Sequence, residues 1–211
     1  MRRLPVYLML DVSGSMRGDP IEAIKQGLQT MLDTLRQDPY ALETVYISII
    51  TFNNEVQQIV PLTELYKIQV VDIEAKLGTY IGKALRFISK RIDEEILKNT
   101  PETKGDWKPV VFLMTDGRSG DSIAKALKEI DIHKFGLVIA CATGKEPNID
   151  VLKLITENVV RLSTLDRESI ASYFKWISQS ISSNSVHIAE EYHGIDIMDE
   201  LPPLPRELQL V

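Results

Sequence analysis

Residues 4–15 read LPVYLMLDVSGS, an apolar run that ends in an aspartate and two serines. Such a run is typical of a β-strand buried on both faces, because a strand with one face in water would alternate apolar and polar residues. A similar stretch, VVFLMTDG, occupies residues 110–117. The sequence therefore predicts two buried strands, each of which ends at an aspartate.

Strands and helices alternate through the rest of the chain. Apolar residues at helical spacing predict helices over residues 20–35, 81–96, 123–130, 149–155 and 170–181. Further β-rich runs predict strands over residues 45–52, 56–61, 135–142 and 159–162. Strands that alternate with helices pair in parallel through right-handed crossovers.

Two of these strands are separated by a short stretch with Asn53 and Asn54, which are common turn residues and tolerate positive φ. The pattern predicts a hairpin there, with residues 56–61 as an antiparallel edge strand. We expect an α/β fold: a doubly wound, Rossmann-like, mostly parallel sheet with one antiparallel edge strand and helices on both faces.

The composition is that of an ordinary globular chain. It has 211 residues, 44% of them hydrophobic, which suits a single domain with a substantial core. Its 24 basic and 30 acidic residues give a net charge of −6 and argue against general binding to nucleic acid or acidic membranes. We expect a domain over residues 1–182, followed by an acidic, proline-containing C-terminal extension over residues 183–211.

Two further features bear on location. Cys141 is the only cysteine, so the chain can form no internal disulfide and a reducing compartment is expected. The longest apolar run is much shorter than the roughly 20 residues of a membrane-spanning helix. The sequence thus predicts a cytoplasmic protein without a membrane span.

The candidate site lies where the buried strands end. Ligands of open α/β sheets bind outside the carboxyl ends of strands, where successive crossovers leave in opposite directions. The first and fourth strands are expected to be neighbours there, which would bring Asp11 and Asp116 together. Neither motif supplies an obvious cationic partner, so a hard cation is the direct way to relieve their repulsion.

Neutral oxygens complete this candidate metal site. Ser13 and Ser15, with flexible Gly14 between them, can turn both hydroxyls toward one point. Thr79, in the loop LGTYIG at residues 77–82, is the fifth candidate ligand. An all-oxygen set favours Mg²⁺, Mn²⁺ or Ca²⁺ over zinc or copper.

These residues resemble a known family. The pattern Asp11-x-Ser13-x-Ser15, the later Thr79 and Asp116 after an apolar strand resemble the metal-ion-dependent adhesion site of von Willebrand factor A domains, and the order and spacing agree over residues 4–182. The stretches RRLPVY at residues 2–7 and LRQDPYALE at 35–43 resemble the bacterial TerY-type proteins, which occur with tellurium-resistance proteins.

The resemblance implies a function. It implies that the two serines bind the metal directly, that the threonine and the two aspartates bind it directly or through water, and that one coordination position accepts an Asp or Glu of a protein partner. The expected protein is a non-enzymatic, Mg²⁺-dependent interaction module of a tellurium-resistance or stress response, beside kinase or phosphatase partners. Tyr80 and Arg118 are expected to lie on the partner surface.

Alternatives remain open at the level of the sequence. Each motif alone is also common in helix caps and turns. A metal-dependent phosphohydrolase could use Asp11 as its nucleophile, but the second acid expected two residues later is replaced by Ser13. A purely structural cation is the third possibility.

Overall fold

The structure is a computed structural model that describes residues 2–69, 72–184 and 201–211. Its strands are β1 (Leu4–Asp11), β2 (Val45–Phe52), β3 (Val56–Glu64), β4 (Val110–Thr115), β5 (Leu137–Ala142), β6 (Val159–Leu162) and β7 (Leu208–Leu210). Its α-helices are α1 (Asp19–Arg36), α2 (Pro39–Thr44), α3 (Ile81–Glu95), α4 (Ile123–Glu129), α5 (Ile149–Lys153) and α6 (Arg167–Asn184). Short 3₁₀ turns occupy Gly14–Met16, Leu65–Lys67 and Ile132–Lys134.

The strands form one seven-stranded sheet in the order β3-β2-β1-β4-β5-β6-β7. β1 pairs in parallel with both β2 and β4, and β4, β5 and β6 continue the parallel part. β3 is antiparallel to β2 at one edge. The predicted α/β class and the antiparallel edge strand are therefore confirmed.

Two cores explain the continuous apolar run of β1. Val6 and Leu8 are buried in the core beneath α1 and α6, whereas Tyr7 and Met9 are buried in the core beneath α3. Successive strand residues point to opposite faces, so a strand covered by helices on both sides must be apolar at every position. This is the doubly wound arrangement that the sequence predicts.

Several element boundaries differ from the sequence prediction. Helix α1 begins at Asp19, one residue before the predicted start, because Gly18 precedes it with a φ of 82°. The hairpin forms as expected, but no described non-glycine residue has positive φ, so Asn53 does not use its tolerance for that region. Instead its side-chain oxygen accepts a hydrogen bond from the Glu55 backbone N–H at 2.7 Å. Helix α2, which is short and is capped by Asp38, was not predicted from the sequence.

The end of the chain adds to the sheet. β7 pairs antiparallel with β6 and forms a second antiparallel edge, which the sequence analysis did not assign to a strand. The Trp176 indole N–H of α6 donates to the Pro202 carbonyl at 2.9 Å, and Leu201 is buried in the core. Residues 185–200 of the predicted extension lie outside the described residues. The domain division at residue 182 stays a prediction.

Close contact between α1 and α6 gives a test of this packing. A Cβ on Gly27 would lie 2.3 Å from Phe174 Cδ2, so Gly27→Ala should overpack the interface and lower the free energy of unfolding by about 1–3 kcal/mol, despite the better helix propensity of alanine. Chemical denaturation measures the change. Gln26→Ala, at an exposed position of the same helix, is the control and should leave stability nearly unchanged; equal stability of both variants would contradict the packing described.

Candidate metal centre

The candidate centre lies at the carboxyl ends of β1 and β4. Leu10 pairs with Met114 in the register of these two strands, so both aspartate motifs leave the sheet at the same edge. From β1 the chain proceeds through α1 to β2 on one side, whereas β4 lies on the other side. This is the type of crevice in which α/β proteins bind ligands, and the predicted adjacency of the two strands is confirmed.

Asp11 is the buried centre of the group, with 1% of its surface exposed. Its Oδ1 accepts a hydrogen bond from the Ser13 backbone N–H at 2.8 Å, and its Oδ2 accepts one from the Thr115 hydroxyl at 2.7 Å. Burial raises the pKa of Asp11 to about 6; the two hydrogen-bonding residues oppose this rise, and the nearby Asp116 adds to it. Among the described residues no Lys, Arg or His forms an ion pair with Asp11.

The two serines meet through their hydroxyls. A 3₁₀ turn at Gly14–Met16 folds this loop back, and the Oγ atoms of Ser13 and Ser15 lie 3.0 Å apart. Ser13 is buried whereas Ser15 is exposed. The pair therefore supplies two neutral oxygens, one buried and one on an exposed residue, directly after the buried carboxylate.

Asp116 is held by its own loop. Its Oδ1 accepts a hydrogen bond from the Arg118 backbone N–H at 2.9 Å, and its carbonyl accepts one from the Asn148 N–H at 2.8 Å. Gly117 has a φ of 74°, and a Cβ there would lie 2.6 Å from the Asn148 carbonyl oxygen. Glycine is thus required at position 117 by backbone conformation and close packing, and the Asp116 side chain before it is partly exposed.

The loop that carries Thr79 lies between the other two. The Lys76 N–H donates to the Val12 carbonyl at 2.8 Å, and the Gly120 N–H donates to the Thr79 carbonyl at 2.8 Å. The backbone of Thr79 is therefore tied to the loop of Asp116. Its hydroxyl forms no hydrogen bond with the other four candidate ligands in the described part of the chain.

The structure thus links the five candidates in different ways. Hydrogen bonds join Asp11, Ser13 and Ser15 to one another. Asp116 interacts electrostatically with Asp11, and the Thr79 backbone is hydrogen-bonded to the loop of Asp116. No group of three or more His, Cys, Asp or Glu residues suited to a metal occurs within the described ranges, since this set has only two carboxylates. A buried carboxylate without a cationic partner, next to paired hydroxyls, fits a hard divalent cation. Their role as metal ligands stays a prediction.

Three residues that organise the site were not predicted from the sequence. Thr115, directly before Asp116, donates to Asp11 across the β1–β4 pair. Ser119 and Asp121 accept hydrogen bonds from the first N–H groups of α3. The position of Thr115 at the end of β4, opposite the end of β1, could have indicated its role. The other two lie in a loop whose path has no sequence signal.

Comparison with known proteins identifies the family. The von Willebrand factor type A domain family matches residues 6–167, more than half of the chain. An uncharacterized protein of the cyanobacterium Synechocystis, sll0103, is 28% identical over 203 residues. That alignment covers 86% of this chain and 43% of the relative, so the chain spans less than half of the relative's length.

Solved structures share the fold. A von Willebrand factor type A protein of Catenulispora acidiphila has a TM-score of 0.66 at 18% identity, covering 86% of this chain and 43% of that one. Proximal thread matrix protein 1 of the mussel byssus, in a structure with zinc occupying its metal-ion-dependent adhesion site motif, has a TM-score of 0.58 at 17% identity and covers 84% and 48%. At these identities the likeness concerns the fold alone.

The chain belongs to the von Willebrand factor type A domain family. Such domains are protein-interaction modules that often carry a metal-ion-dependent adhesion site. Membership of this family, which the sequence predicts, is therefore confirmed, whereas the metal-ion-dependent adhesion site and the likeness to TerY-type proteins stay predictions.

The buried charge of Asp11 leads to a stability prediction. Its pKa in the folded protein lies above the ordinary value of 3.8, so stability of the metal-free protein should be lost as the pH rises from about 4 to about 6. Asp11→Asn removes this charge at similar volume. The Asn amide nitrogen cannot accept one of the two hydrogen bonds, a cost that does not depend on pH. In chelator we therefore expect the melting temperature of the variant, relative to that of the unmodified protein at the same pH, to be a few degrees higher at neutral pH than near pH 4.

Thermal melts with chelator and with Mg²⁺ measure both effects. Mg²⁺ should raise the melting temperature of the unmodified protein but not that of Asp11→Asn. Asp166→Asn, at an exposed helix cap remote in sequence from the three loops, is the control and should keep the Mg²⁺ response. A difference in melting temperature between the two proteins that stays the same from pH 4 to neutral pH would contradict an uncompensated charge at Asp11.

Proposed function

We propose that this protein is a metal-dependent interaction module that binds a carboxylate of a protein partner through Mg²⁺ held by Asp11, Ser13, Ser15, Thr79 and Asp116. The observation that carries the proposal is the buried Asp11 carboxylate, which lies without a cationic partner among the described residues beside the Ser13–Ser15 hydroxyl pair. A bound divalent ion would supply the missing positive charge and an electrophilic centre for an incoming Asp or Glu.

The chain's own residues define how much charge such an ion would retain. Asp11 and Asp116 contribute two carboxylates, whereas the serines and Thr79 contribute only neutral oxygens. Hydrogen bonds from Ser13 and Thr115 hold the Asp11 carboxylate in one orientation. Because the hydroxyls add no negative charge, a partner carboxylate is a favourable further ligand.

Magnesium is our choice on the grounds of donor chemistry. Oxygen donors suit Mg²⁺, with Mn²⁺ or Ca²⁺ as alternatives. The mussel protein holds zinc in its own motif, so metal selectivity needs a direct comparison. Titration with each of the four ions under the same conditions would rank them, and we expect Mg²⁺ and Mn²⁺ to bind this set of hard oxygens.

The proposed partner surface surrounds the three loops. Leu77 and Tyr80 are exposed: a Cβ on Gly14 in the serine loop would lie 3.3 Å from the Leu77 side chain, and a Cβ on Gly120 in the loop of Asp116 would lie 2.5 Å from the Tyr80 ring. The Arg118 guanidinium is exposed and donates to the Glu146 carbonyl at 2.9 Å. These side chains could contact a partner that presents its carboxylate between them.

We place this module in a bacterial tellurium-resistance or chemical-stress response, with a kinase or phosphatase of the same system as the partner. The support is the likeness of residues 2–7 and 35–43 to TerY-type proteins. A cytoplasmic location is part of the proposal and is supported by the lone, buried Cys141. Within the described residues, no helix is both long enough and apolar enough to cross a bilayer.

A phosphohydrolase is less well supported than a binding module. Both carboxylate oxygens of Asp11 accept hydrogen bonds, which weakens a nucleophile. Ser13 stands where a leaving-group acid would be needed. Turnover of a generic phosphate ester with Mg²⁺ separates the two functions: activity that is lost in Asp11→Ala would favour the enzyme.

Metal binding by the isolated protein is the first test. Ser13→Ala removes one hydroxyl of the pair, so we expect Mg²⁺ and Mn²⁺ affinity, measured by isothermal titration calorimetry, to fall by about tenfold or more. Thr30→Ala removes an exposed helix hydroxyl that bonds only the Gln26 carbonyl and is the control. Unchanged affinity in Ser13→Ala would contradict the proposed site.

Partner binding is the second test. Capture from bacterial lysate on immobilised protein should give a partner that is retained in Mg²⁺ and lost with chelator or with Ser13→Ala. Replacement of one Asp or Glu of that partner by Asn or Gln should then abolish binding. A partner that binds equally in chelator, or that tolerates neutralisation of every contacting carboxylate, would contradict recognition through the metal.

A further inference from the structure

The N-terminus of α3, which begins two residues after Thr79, is capped by another part of the chain. The first four N–H groups of a helix lack partners within the helix. Here Tyr80 precedes the helix and provides no side-chain cap; its own N–H donates to the Asn53 carbonyl at 2.9 Å, and the first N–H with a partner in the helix is that of Ala84, which donates to the Tyr80 carbonyl. The partners of the first three N–H groups come from the loop that follows β4.

Two side chains of that loop supply the cap. The Ile81 N–H donates to Ser119 Oγ at 2.9 Å, the Gly82 N–H donates to Asp121 Oδ1 at 2.9 Å, and the Lys83 N–H donates to Asp121 Oδ2 at 2.7 Å. Ser119 in turn donates to Asp121 Oδ1 at 2.7 Å. Both carboxylate oxygens are therefore used, and the negative charge lies at the positive end of the helix dipole.

Two glycines permit this close approach. A Cβ on Gly82 would lie 2.8 Å from Asp121 Oδ2, and a Cβ on Gly120 would lie 2.5 Å from the Tyr80 ring. The Gly120 N–H also donates to the Thr79 carbonyl. The loop after β4 is thus joined to the segment of Thr79 by both backbone and side-chain bonds.

We propose that Asp121 is a positioning residue of the metal site, which holds Thr79 in a fixed place relative to Asp116 before any ion binds. This inference rests on the proposed function and names a residue outside the five proposed ligands. Asp121 lies in the same loop as Asp116, five residues later, and its carboxylate fixes the helix that follows Thr79. Thr79 and Asp116, which belong to different connections of the sheet, are thereby held in a fixed relative position.

The physical gain is pre-organisation. Without the cap, the Thr79 loop would have to be ordered when the ion binds, and that entropic cost would be subtracted from the binding free energy. Residues that orient metal ligands typically change metal affinity by about tenfold to a hundredfold. We therefore expect Asp121 to change the metal affinity without contacting the ion directly.

The test uses the full chain and Mn²⁺ alone. We expect Asp121→Ala to lower Mn²⁺ affinity in calorimetry by about tenfold or more. Hydrogen exchange at the Ile81, Gly82 and Lys83 amides of the metal-free protein should become faster. Asp121→Asn keeps one acceptor oxygen but no charge, so it should bind more tightly than Asp121→Ala.

Two controls separate positioning from general effects. Arg86 forms ion pairs with two carboxylates: its Nη1 lies 3.8 Å from Asp121 Oδ2, and its Nε pairs with Glu129. Glu129→Gln removes the second of these carboxylates and leaves the cap of α3 intact. Ile47→Val, at a fully buried position of β2, destabilises the fold to an extent comparable with loss of a cap. Both variants should bind Mn²⁺ like the unmodified protein.

Failure of this inference is distinguishable from failure of the proposed function. Unchanged Mn²⁺ affinity in Asp121→Ala, while Ser13→Ala has lost affinity, would overturn the positioning role only. An equal loss of Mn²⁺ affinity in Asp121→Ala and Asp121→Asn would show that the charge of Asp121 matters and not its hydrogen bonds, which would also overturn the positioning role. If Asp121→Ala does not fold, Ser119→Ala removes the cap of Ile81 and is judged by the same criteria. Unchanged affinity in Ser13→Ala would refute the proposed function itself.

Discussion

The burial of one carboxylate, that of Asp11, is the constraint to which the rest of the site is adapted. Its position follows from β1, which is covered by helices on both faces and therefore carries its last residue out of water. Hydrogen bonds from Ser13 and Thr115 satisfy the oxygens but leave the charge uncompensated within the described residues. Folding alone gains nothing from such a charge, which is the physical reason to regard it as functional.

Much of this arrangement could be predicted from the sequence, because the decisive patterns are local. The apolar runs before Asp11 and Asp116 predicted buried strands, and the crossover rule made those strands neighbours. The serine pair lies within a few residues of Asp11. By contrast, the cap from Asp121 to Gly82 joins residues that are 39 positions apart and depends on the path of a loop, for which no periodicity exists. Strand β7 has only three residues, too few for a recognisable pattern.

The three loops of the site differ in how they are fixed. The serine loop is folded by its own 3₁₀ turn, and the loop of Asp116 is fixed by Gly117 and Asn148. The loop of Thr79 has little structure of its own and depends on contacts with its neighbours. Ligands supplied by separate crossovers can thus converge, but only because backbone bonds such as that from Gly120 to Thr79 connect the crossovers.

The two antiparallel edges of the sheet bear on how the molecule meets other proteins. An open strand edge is a template for chain-to-chain pairing, and natural proteins blunt it with short strands or proline. Here β3 contains Pro61, and β7, which lies beside β6, is only three residues long. Both sides of the sheet are therefore poor sites for strand addition, and intermolecular β-sheet growth is disfavoured at each of them.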